Sequence, residues 1–338
     1  MLVNIQMLRA VAALLVFLHH LKPHYLASGG LSQSLISVAE RGGFGVDVFF
    51  VISGFVIAYT TLPGPRDGGA LAKFAQRRLA RIYMGYWPML ALAVLLMWLY
   101  PGQRLQTINL VDSVLLISPD PHQNVLPVAW SLSYELYFYF MYALVFCCEN
   151  KTIKNCFVIA GLGVLCYALL AHPRRADILS FWLSPLLLEF FAGFFIYYYR
   201  SYLTRQSLIL PAILVAIVMF WAGTTHPGLV NRALYFGSSA AAIVVISLQL
   251  EAARLFRAPG WLVKLGDSSY TLYLTHLLFI RLFNHLGCRD WLSSQAQWVT
   301  ELGYLVFIVA VLLLSHFIFL KLERPLYRRV CQIKLFKP

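Results

Sequence analysis

The sequence has few charged residues, and acidic residues are the scarcer of the two signs. Charged residues make up 12% of the 338 positions, and 14 Asp and Glu face 27 Lys and Arg. Hydrophobic residues make up 60%, and the mean hydropathy is +0.71. These values lie well outside the range of soluble globular domains. The composition therefore predicts an all-α polytopic membrane protein.

Cysteine patterns and metal-binding motifs are also scarce. Of the six cysteines, only Cys288 is predicted to lie outside the cell, so we expect no structural disulfide. The sequence contains no CxxC or HExxH spacing, so we expect no protein-held metal. It also shows no repeat, low-complexity tract or appended soluble domain. We therefore expect residues 1–338 to form a single membrane domain.

Long apolar runs recur throughout the chain. A transmembrane helix needs about 20 residues, and ten runs come close to this length. The predicted spans are 5–22, 44–62, 83–100, 127–148, 156–171, 181–199, 207–223, 231–250, 267–285 and 300–321. The first run has no small-residue cleavage pattern before Pro23, so we interpret it as a span and not as a signal peptide.

The distribution of Lys and Arg predicts the orientation. With the N-terminus in the cytoplasm, 17 cations fall in inside loops and 7 in outside loops, as the positive-inside rule requires. Both termini are therefore expected in the cytoplasm. This asymmetry explains most of the net charge of +13, so the charge gives no separate reason to expect a nucleic-acid partner.

Arg9 and His20 lie in the first span, separated by ten almost entirely aliphatic residues. Ionisable residues inside a membrane are costly, and they usually mark a functional site. Eleven helical positions bring His20 to within about 20° of Arg9, about 16 Å further along the axis. We therefore expect both side chains to face the same cavity or partner.

Asp47 lies near the outer end of the second span, at a depth similar to that of His20. A carboxylate in this position could fix the tautomer of His20 and raise its basicity. Alternatively, Asp47 satisfies a neighbouring helix end or pairs with an arginine. Position alone leaves both interpretations open.

Arg78 and Arg81 lie three residues apart in the first inside loop and share one helix face. Two guanidinium groups at this spacing can hold a multiply charged phosphate ligand. The alternative is a positive-inside anchor that contacts anionic lipid, and without other information this alternative is favoured.

Two further spans carry polar groups at membrane depth. Glu135 must be paired, protonated or solvated by a cavity, whereas nearby Trp130 is typical of an interfacial anchor. Tyr270, Tyr273 and His276 follow each other at three-residue steps in the ninth predicted span. A single histidine in a span more often serves packing than catalysis.

The loop at 101–126 carries Leu105, Ile108, Val111 and Leu115 at helical spacing. This pattern indicates an interfacial or re-entrant helix over an extracellular mouth. A surface loop that packs on its own bundle explains the pattern equally well.

Six motifs in this order resemble the acyltransferase-3 family of integral membrane O-acyltransferases. The resemblance covers nearly the whole chain. The matching elements are Arg9 and His20 (arginine, ten residues, histidine), Gly45 to Phe55 (GVDxFFxxSGF), Arg78 and Arg81 (RxxR), Trp130 to Glu135 (WSLxxE), Ser269 to His276 (SYxLYLxH) and Glu323 to Pro325 (ErP).

The resemblance implies transfer of an acyl group, most commonly acetyl, from cytoplasmic acyl-CoA to a hydroxyl of a cell-surface glycan or glycolipid. Members lie in the bacterial cytoplasmic (inner) membrane, in contact with membrane lipid, and a homo-oligomer is left open. The expected catalytic residues are His20, as base or acyl carrier, with Arg9, Asp47 and Glu135. The expected donor-binding residues are Arg78, Arg81, Tyr270 and His276.

Two departures from the family pattern matter. Met84 stands where relatives often have proline, so we expect a less bent start of the third span. Many relatives also carry an extracytoplasmic esterase-like domain, which is not expected here. The membrane domain itself, or a separate protein, would then complete the transfer.

A proton-coupled transporter or flippase is the main competing interpretation. It would use His20, Asp47, Glu135 and His276 as a proton relay. This interpretation explains the RxxR segment only as a topology signal, and the chain shows no duplicated half with matching broken helices. A noncatalytic partner of a biosynthetic complex is a third interpretation, and the intact motifs argue against it.

Overall fold

The computed structural model describes residues 2–30, 32–100, 108–171 and 178–333, and every regular element in these ranges is helical. The predicted all-α fold is therefore confirmed. The first nine helices are α1 (Val3–Ala27), α2 (Gln33–Glu40), α3 (Gly45–Thr61), α4 (Gly68–Leu99), α5 (Leu110–Leu115), α6 (Trp130–Val145), α7 (Asn150–Ala171), α8 (Ile178–Trp182) and α9 (Leu187–Tyr198). The remaining nine are α10 (Arg200–Leu203), α11 (Ile209–Thr225), α12 (Leu229–Asn231), α13 (Gly237–Ala252), α14 (Gly260–Asp267), α15 (Ser269–His285), α16 (Cys288–Ser293), α17 (Gln297–Ile318) and α18 (Arg324–Gln332).

Two π-helical turns join helices that follow each other along the chain. Arg232–Phe236 leads from α12 into α13, and Phe319–Glu323 leads from α17 into α18. Single π-helical turns are rare and occur frequently at functional sites. The second turn makes α17 and α18 one helical segment, Gln297–Gln332, which continues well beyond the predicted end of the last span.

Within the described ranges, eight helical segments are long and apolar enough to cross a membrane. These segments are Val3–Ala27, Gly42–Thr61, Gly68–Leu99, Asn150–Leu170, Leu179–Tyr198, Gln206–Thr225, Leu229–Ala252 and Gln297–Gln332. The predicted spans at 127–148 and 267–285 correspond to α6 and α15, which have 16 and 17 residues. Both are helices, but both are shorter than the expected span length.

The segment before α6 contacts the middle of α4. Tyr86 donates to the carbonyl of Ser113 at 2.6 Å, and Trp87 donates to the carbonyl of Val114 at 3.1 Å. Trp87 lies twelve residues before α4 ends, so these contacts fall about 18 Å short of that end. The chain therefore folds back along α4 before it enters α6.

The predicted helix in the 101–126 loop is present only in part. The structure has α5 there, with six residues and exposed Val111 and Leu115. Leu105 lies outside the described residues. The loop packs on α4 through the hydrogen bonds to Tyr86 and Trp87, which agrees with the expectation of a segment that packs on its own bundle.

Helix α3 is held by glycines at very close helix contacts. A Cβ atom at Gly45 would lie 2.3 Å from the carbonyl oxygen of Ala12 in α1. A Cβ atom at Gly54 would lie 1.9 Å from the carbonyl oxygen of Phe190 in α9, and one at Gly193 would lie equally close to that of Val51. Small residues allow such close approach in membrane helix pairs. The backbone of α3 is thus fixed between α1 and α9.

Candidate active site

A cavity of about 810 Å³ runs beside α3. Residues of α3 from Val46 to Thr61 line it, which corresponds to about 22 Å of helix. Helices α4, α6, α15 and α18 supply the other walls. The volume lies in the upper part of the range for small-molecule sites, and the cavity is long enough to hold an extended ligand.

One end of this cavity is strongly basic. Four exposed cations line its mouth: Lys73, Arg77, Arg324 and Arg328. The first two belong to α4 and the last two belong to α18. Electrostatic attraction therefore favours a negatively charged ligand at this end.

Arg78 lies just inside the mouth. Its Nη2 donates to the hydroxyl of Thr60 at 2.8 Å, and its guanidinium lies 5.5 Å from the ring centre of Tyr139. Neither contact neutralises the charge, and both hold the side chain on the wall. Arg78 therefore keeps an uncompensated charge on the cavity wall, and its role in binding phosphate stays a prediction.

Arg81 is different because the protein already supplies its counter-ion. Its Nη1 donates to Glu323 at 2.6 Å, and the hydroxyl of Thr271 also donates to this carboxylate. The Arg81 guanidinium lies 5.2 Å from the ring centre of Tyr270, whose hydroxyl donates to the carbonyl of Ile82 at 2.9 Å. Arg81, Tyr270 and Glu323 all line the cavity.

Arg9 and Glu135 also reach this cavity. Arg9 donates to Gln6 at 3.0 Å, and Gln6 donates to Asp267 at 2.7 Å, so an amide joins the arginine to a carboxylate. Glu135 accepts from Ser53 at 2.9 Å and also from Tyr139. Glu135 therefore has hydrogen-bond partners and also lines a cavity, as expected for a carboxylate at this depth.

His20 lies near the other end of α3 and pairs with His276. Its Nδ1 lies 2.9 Å from the carbonyl oxygen of Val16 and 3.3 Å from Nε2 of His276. The Nδ1 atom of His276 lies 3.1 Å from the carbonyl oxygen of Leu272. Although His276 was expected among the donor-binding residues, the structure buries it completely behind His20.

These contacts assign the tautomers of both rings. A carbonyl oxygen can only accept, so Nδ1 of each histidine carries the hydrogen. Nε2 of His276 then has a lone pair directed at Nδ1–H of His20. It follows that Nε2 of His20 carries a lone pair and can accept a proton from a substrate.

Aromatic side chains connect the cavity wall with the histidine pair. Phe49 and Tyr273 line the cavity, with ring centres 6.1 Å apart, and the ring centre of Tyr273 lies 6.0 Å from that of His276. Arg9 lines this cavity but His20 does not. The expectation that both face one cavity is therefore wrong for His20, which lies behind the cavity's inner end.

Asp47 has a different partner from the catalytic one proposed above. Its two carboxylate oxygens accept from Nε and Nη2 of Arg232 at 3.0 and 2.9 Å, and Nη2 also donates to the carbonyl of Gly43 at 3.2 Å. Asp47 is fully buried. The predicted pairing of Asp47 with His20 is therefore wrong, and the alternative of an arginine partner is confirmed.

Sequence reasoning missed two residues of this region. Arg232 was counted as an outside-loop cation, but it lies in a π-helical turn that brings its guanidinium to Asp47. Glu323 was noted only as part of the closing motif, yet its turn directs the carboxylate at Arg81. Within the described ranges, no group of three His, Cys, Asp or Glu side chains is arranged to hold a metal ion.

The sequence is similar to known acyltransferases. A family profile described as an acyltransferase domain matches residues 2–320. The chain is 29% identical over 308 residues to the exopolysaccharide production protein ExoZ of Rhizobium meliloti (strain 1021), covering 85% of this chain and 90% of that protein. It is 24% identical over 323 residues to acyltransferase MdmB of Streptomyces mycarofaciens, covering 87% of this chain and 82% of that protein. No solved structure gives a significant match.

The profile match extends over nearly the whole sequence, and the membrane-type helices run through the same range. The motif-based resemblance is therefore confirmed by an independent comparison. This chain is a transferase enzyme of the membrane, and it belongs to the acyltransferase-3 family.

Proposed function

We propose that this protein transfers an acyl group, in particular acetyl, from cytoplasmic acyl-CoA to a hydroxyl of a cell-surface glycan or glycolipid. The observation that carries the proposal is the cavity, which has a basic mouth and continues along α3 toward the histidine pair. A nucleotide thioester has the matching form, with an anionic head and a long neutral arm. We place its diphosphate beside Arg78.

The length of the arm supports this placement. A pantetheine arm has about as many backbone bonds as a four-residue peptide, and it therefore reaches about 14 Å when extended. From Thr60, that distance corresponds to about nine residues of α3, which is the level of Phe50 and Val51. The thioester would then lie close to Phe49 and Tyr273, which line the inner end of the cavity.

His20 supplies the base in this proposal. Its Nε2 lone pair takes the proton of the acceptor hydroxyl, the oxygen attacks the thioester carbonyl, and the C–S bond breaks as the C–O bond forms. The proton then passes from His20 to the departing thiolate. A covalent acyl-His20 route would use the same nitrogen, so both routes require the tautomer that His276 and Val16 hold.

Loop charge supports the orientation and location that we propose. With both termini in the cytoplasm, the basic mouth faces the compartment in which acyl-CoA is made. The proposed location is the bacterial inner membrane. The relative ExoZ is named as an exopolysaccharide production protein, which supports a surface glycan as the acceptor.

Transfer of radiolabelled acetyl from acetyl-CoA to total cell-surface glycan tests the proposal. We expect His20→Ala to lower transfer by about a thousandfold, which is within the range for general-base catalysis. His19→Ala is the matched control, because His19 neighbours His20 but contacts the carbonyl of Ala39. Near-normal transfer by folded His20→Ala, or no binding of acetyl-CoA to the wild type, would overturn the proposal.

The geometry does not favour a proton relay through the four residues named above. Asp47 is bound by Arg232 and Glu135 by Ser53 and Tyr139. His20 and His276 contact each other. The polar groups thus form separate clusters, each with its own partners.

A further inference from the structure

The rim of the cavity contains a second set of cations that the proposed diphosphate site does not use. Lys73 and Arg77 are four residues apart on α4, and Arg324 and Arg328 are four residues apart on α18. Residues at this spacing are neighbours on one helix face, and like charges there repel each other. Each pair therefore costs stability unless an anion lies between them.

The two helices that carry these cations are fastened together. The side-chain amide of Gln76 on α4 donates to the carbonyl oxygens of Val330 and Ile333, at 2.7 and 2.8 Å. The bonds hold the start of α4 against the end of α18. The four cations therefore face one opening from two sides in a fixed arrangement.

The protein supplies carboxylate partners to two of its deeper arginines but not to these four. Arg81 is paired with Glu323, and Arg232 is paired with Asp47. None of the ion pairs formed by the described residues includes Lys73, Arg77, Arg324 or Arg328. The rim thus has an excess of positive charge that a ligand can neutralise.

We propose that Arg324 and Arg328, together with Lys73 and Arg77, form a subsite for a phosphate monoester, namely the 3′-phosphate of the coenzyme A donor. The inference rests on the function proposed above and deepens it. In that placement the diphosphate lies at Arg78 and the arm points inward, so the adenosine lies at the mouth. Its 3′-phosphate is a dianion. Each arginine guanidinium can bind such a group through two parallel hydrogen bonds.

Anionic lipid headgroups share this chemistry, because they too present a phosphate to basic residues beside the membrane. The positions of the cations on this segment distinguish a lipid headgroup from a nucleotide as the source of the phosphate. Lys321 and Arg329 are exposed cations of the same segment that do not line the cavity, whereas Arg324 and Arg328 do. A lipid anchor would depend on both pairs, but a nucleotide subsite depends only on the pair at the rim.

The test measures binding of CoA and of 3′-dephospho-CoA to the full-length protein in phosphatidylcholine nanodiscs. We expect the wild type to prefer CoA by about tenfold or more. Arg324→Gln/Arg328→Gln should abolish this preference while changing the affinity for 3′-dephospho-CoA little. The matched variant Lys321→Gln/Arg329→Gln removes two charges from the same segment and should retain the preference.

Each other outcome has a definite meaning. Equal affinities of the wild type for the two nucleotides would overturn the subsite and leave the proposed function standing. Failure to bind either nucleotide would overturn the proposed function itself. Loss of the preference when phosphatidylglycerol is added to the nanodiscs would show that the rim binds lipid, and it would also overturn the subsite.

Discussion

The two ends of α3 handle charge in opposite ways. Near Thr60, cations surround an open cavity, and among the described arginines there only Arg81 has a carboxylate partner. Near Gly45, Arg232 is matched by Asp47, and His20, the proposed base, is oriented by a carbonyl oxygen and by a second histidine. Free charge lies where a charged ligand would bind. The lone pair of His20 is positioned without a carboxylate.

Removing one member of each buried pair is the severest test of this comparison. Asp47→Asn leaves Arg232 without its counter-ion, and Glu323→Gln does the same to Arg81. Each change should lower the free energy of unfolding by about 3 kcal/mol, measured by thermal unfolding in detergent. The matched control is Glu40→Gln, whose exposed pair with Lys22 should be worth less than about 1 kcal/mol.

The same two variants should differ in donor binding. Arg81 lines the cavity, so Glu323→Gln frees a guanidinium for phosphate and should tighten CoA binding severalfold. Arg232 does not line this cavity, and Asp47→Asn should leave CoA affinity unchanged. If both variants changed affinity equally, the two ends would be electrostatically coupled and the comparison would be wrong.

Substitutions of His276 test the end of α3 that begins at Gly45. Because it orients His20 without lining the cavity, His276→Ala should lower kcat by about 10- to 100-fold, as loss of an orienting partner commonly does. The KM for acetyl-CoA should stay the same. His276→Gln places an amide oxygen near the position of Nε2 and should recover part of the lost rate. A raised KM with normal kcat would instead place His276 in the donor site.

Arg78 and Thr60 give the smallest effects. Arg78→Gln should raise the KM for acetyl-CoA by about tenfold. Thr60→Val removes the hydrogen bond that positions Arg78 and should raise KM by about fivefold, since such a bond is worth about 1 kcal/mol. It also removes the bonds of this hydroxyl to two backbone carbonyls of its own helix. Thr204→Val removes a bond of that backbone kind, to the carbonyl of Arg200, and should have no effect. A fall in kcat at saturating donor would contradict a binding role.

Apolar run length predicts the long helices well, because crossing a membrane and forming a helix require the same run of residues. It does not predict the path of the chain before α6, where the hydrogen bonds of Tyr86 and Trp87 hold the preceding segment along α4. This path depends on contacts between separate elements. A window of local hydropathy contains no information about such contacts.

The candidate site was predictable residue by residue but not pair by pair. Arg9, Arg78, Arg81, Glu135 and Tyr270 all line one cavity, and each was noticeable in the sequence as a polar group near or within an apolar run. Their partners were not noticeable. Asp47 and Arg232 are 185 positions apart, and His20 and His276 are 256 apart, so only the packing of the helices joins them.

The glycine contacts of α3 have a consequence for motion. Since the backbone of α3 touches the backbones of α1 and α9 at Gly45, Gly54 and Gly193, this wall can neither slide nor rotate without steric clash. In the facing wall, α4 and α18 are joined at the basic end of the cavity by the side-chain amide of Gln76. Any widening of the cavity for a bulky ligand is therefore expected from a joint movement of α4 and α18, with α3 stationary.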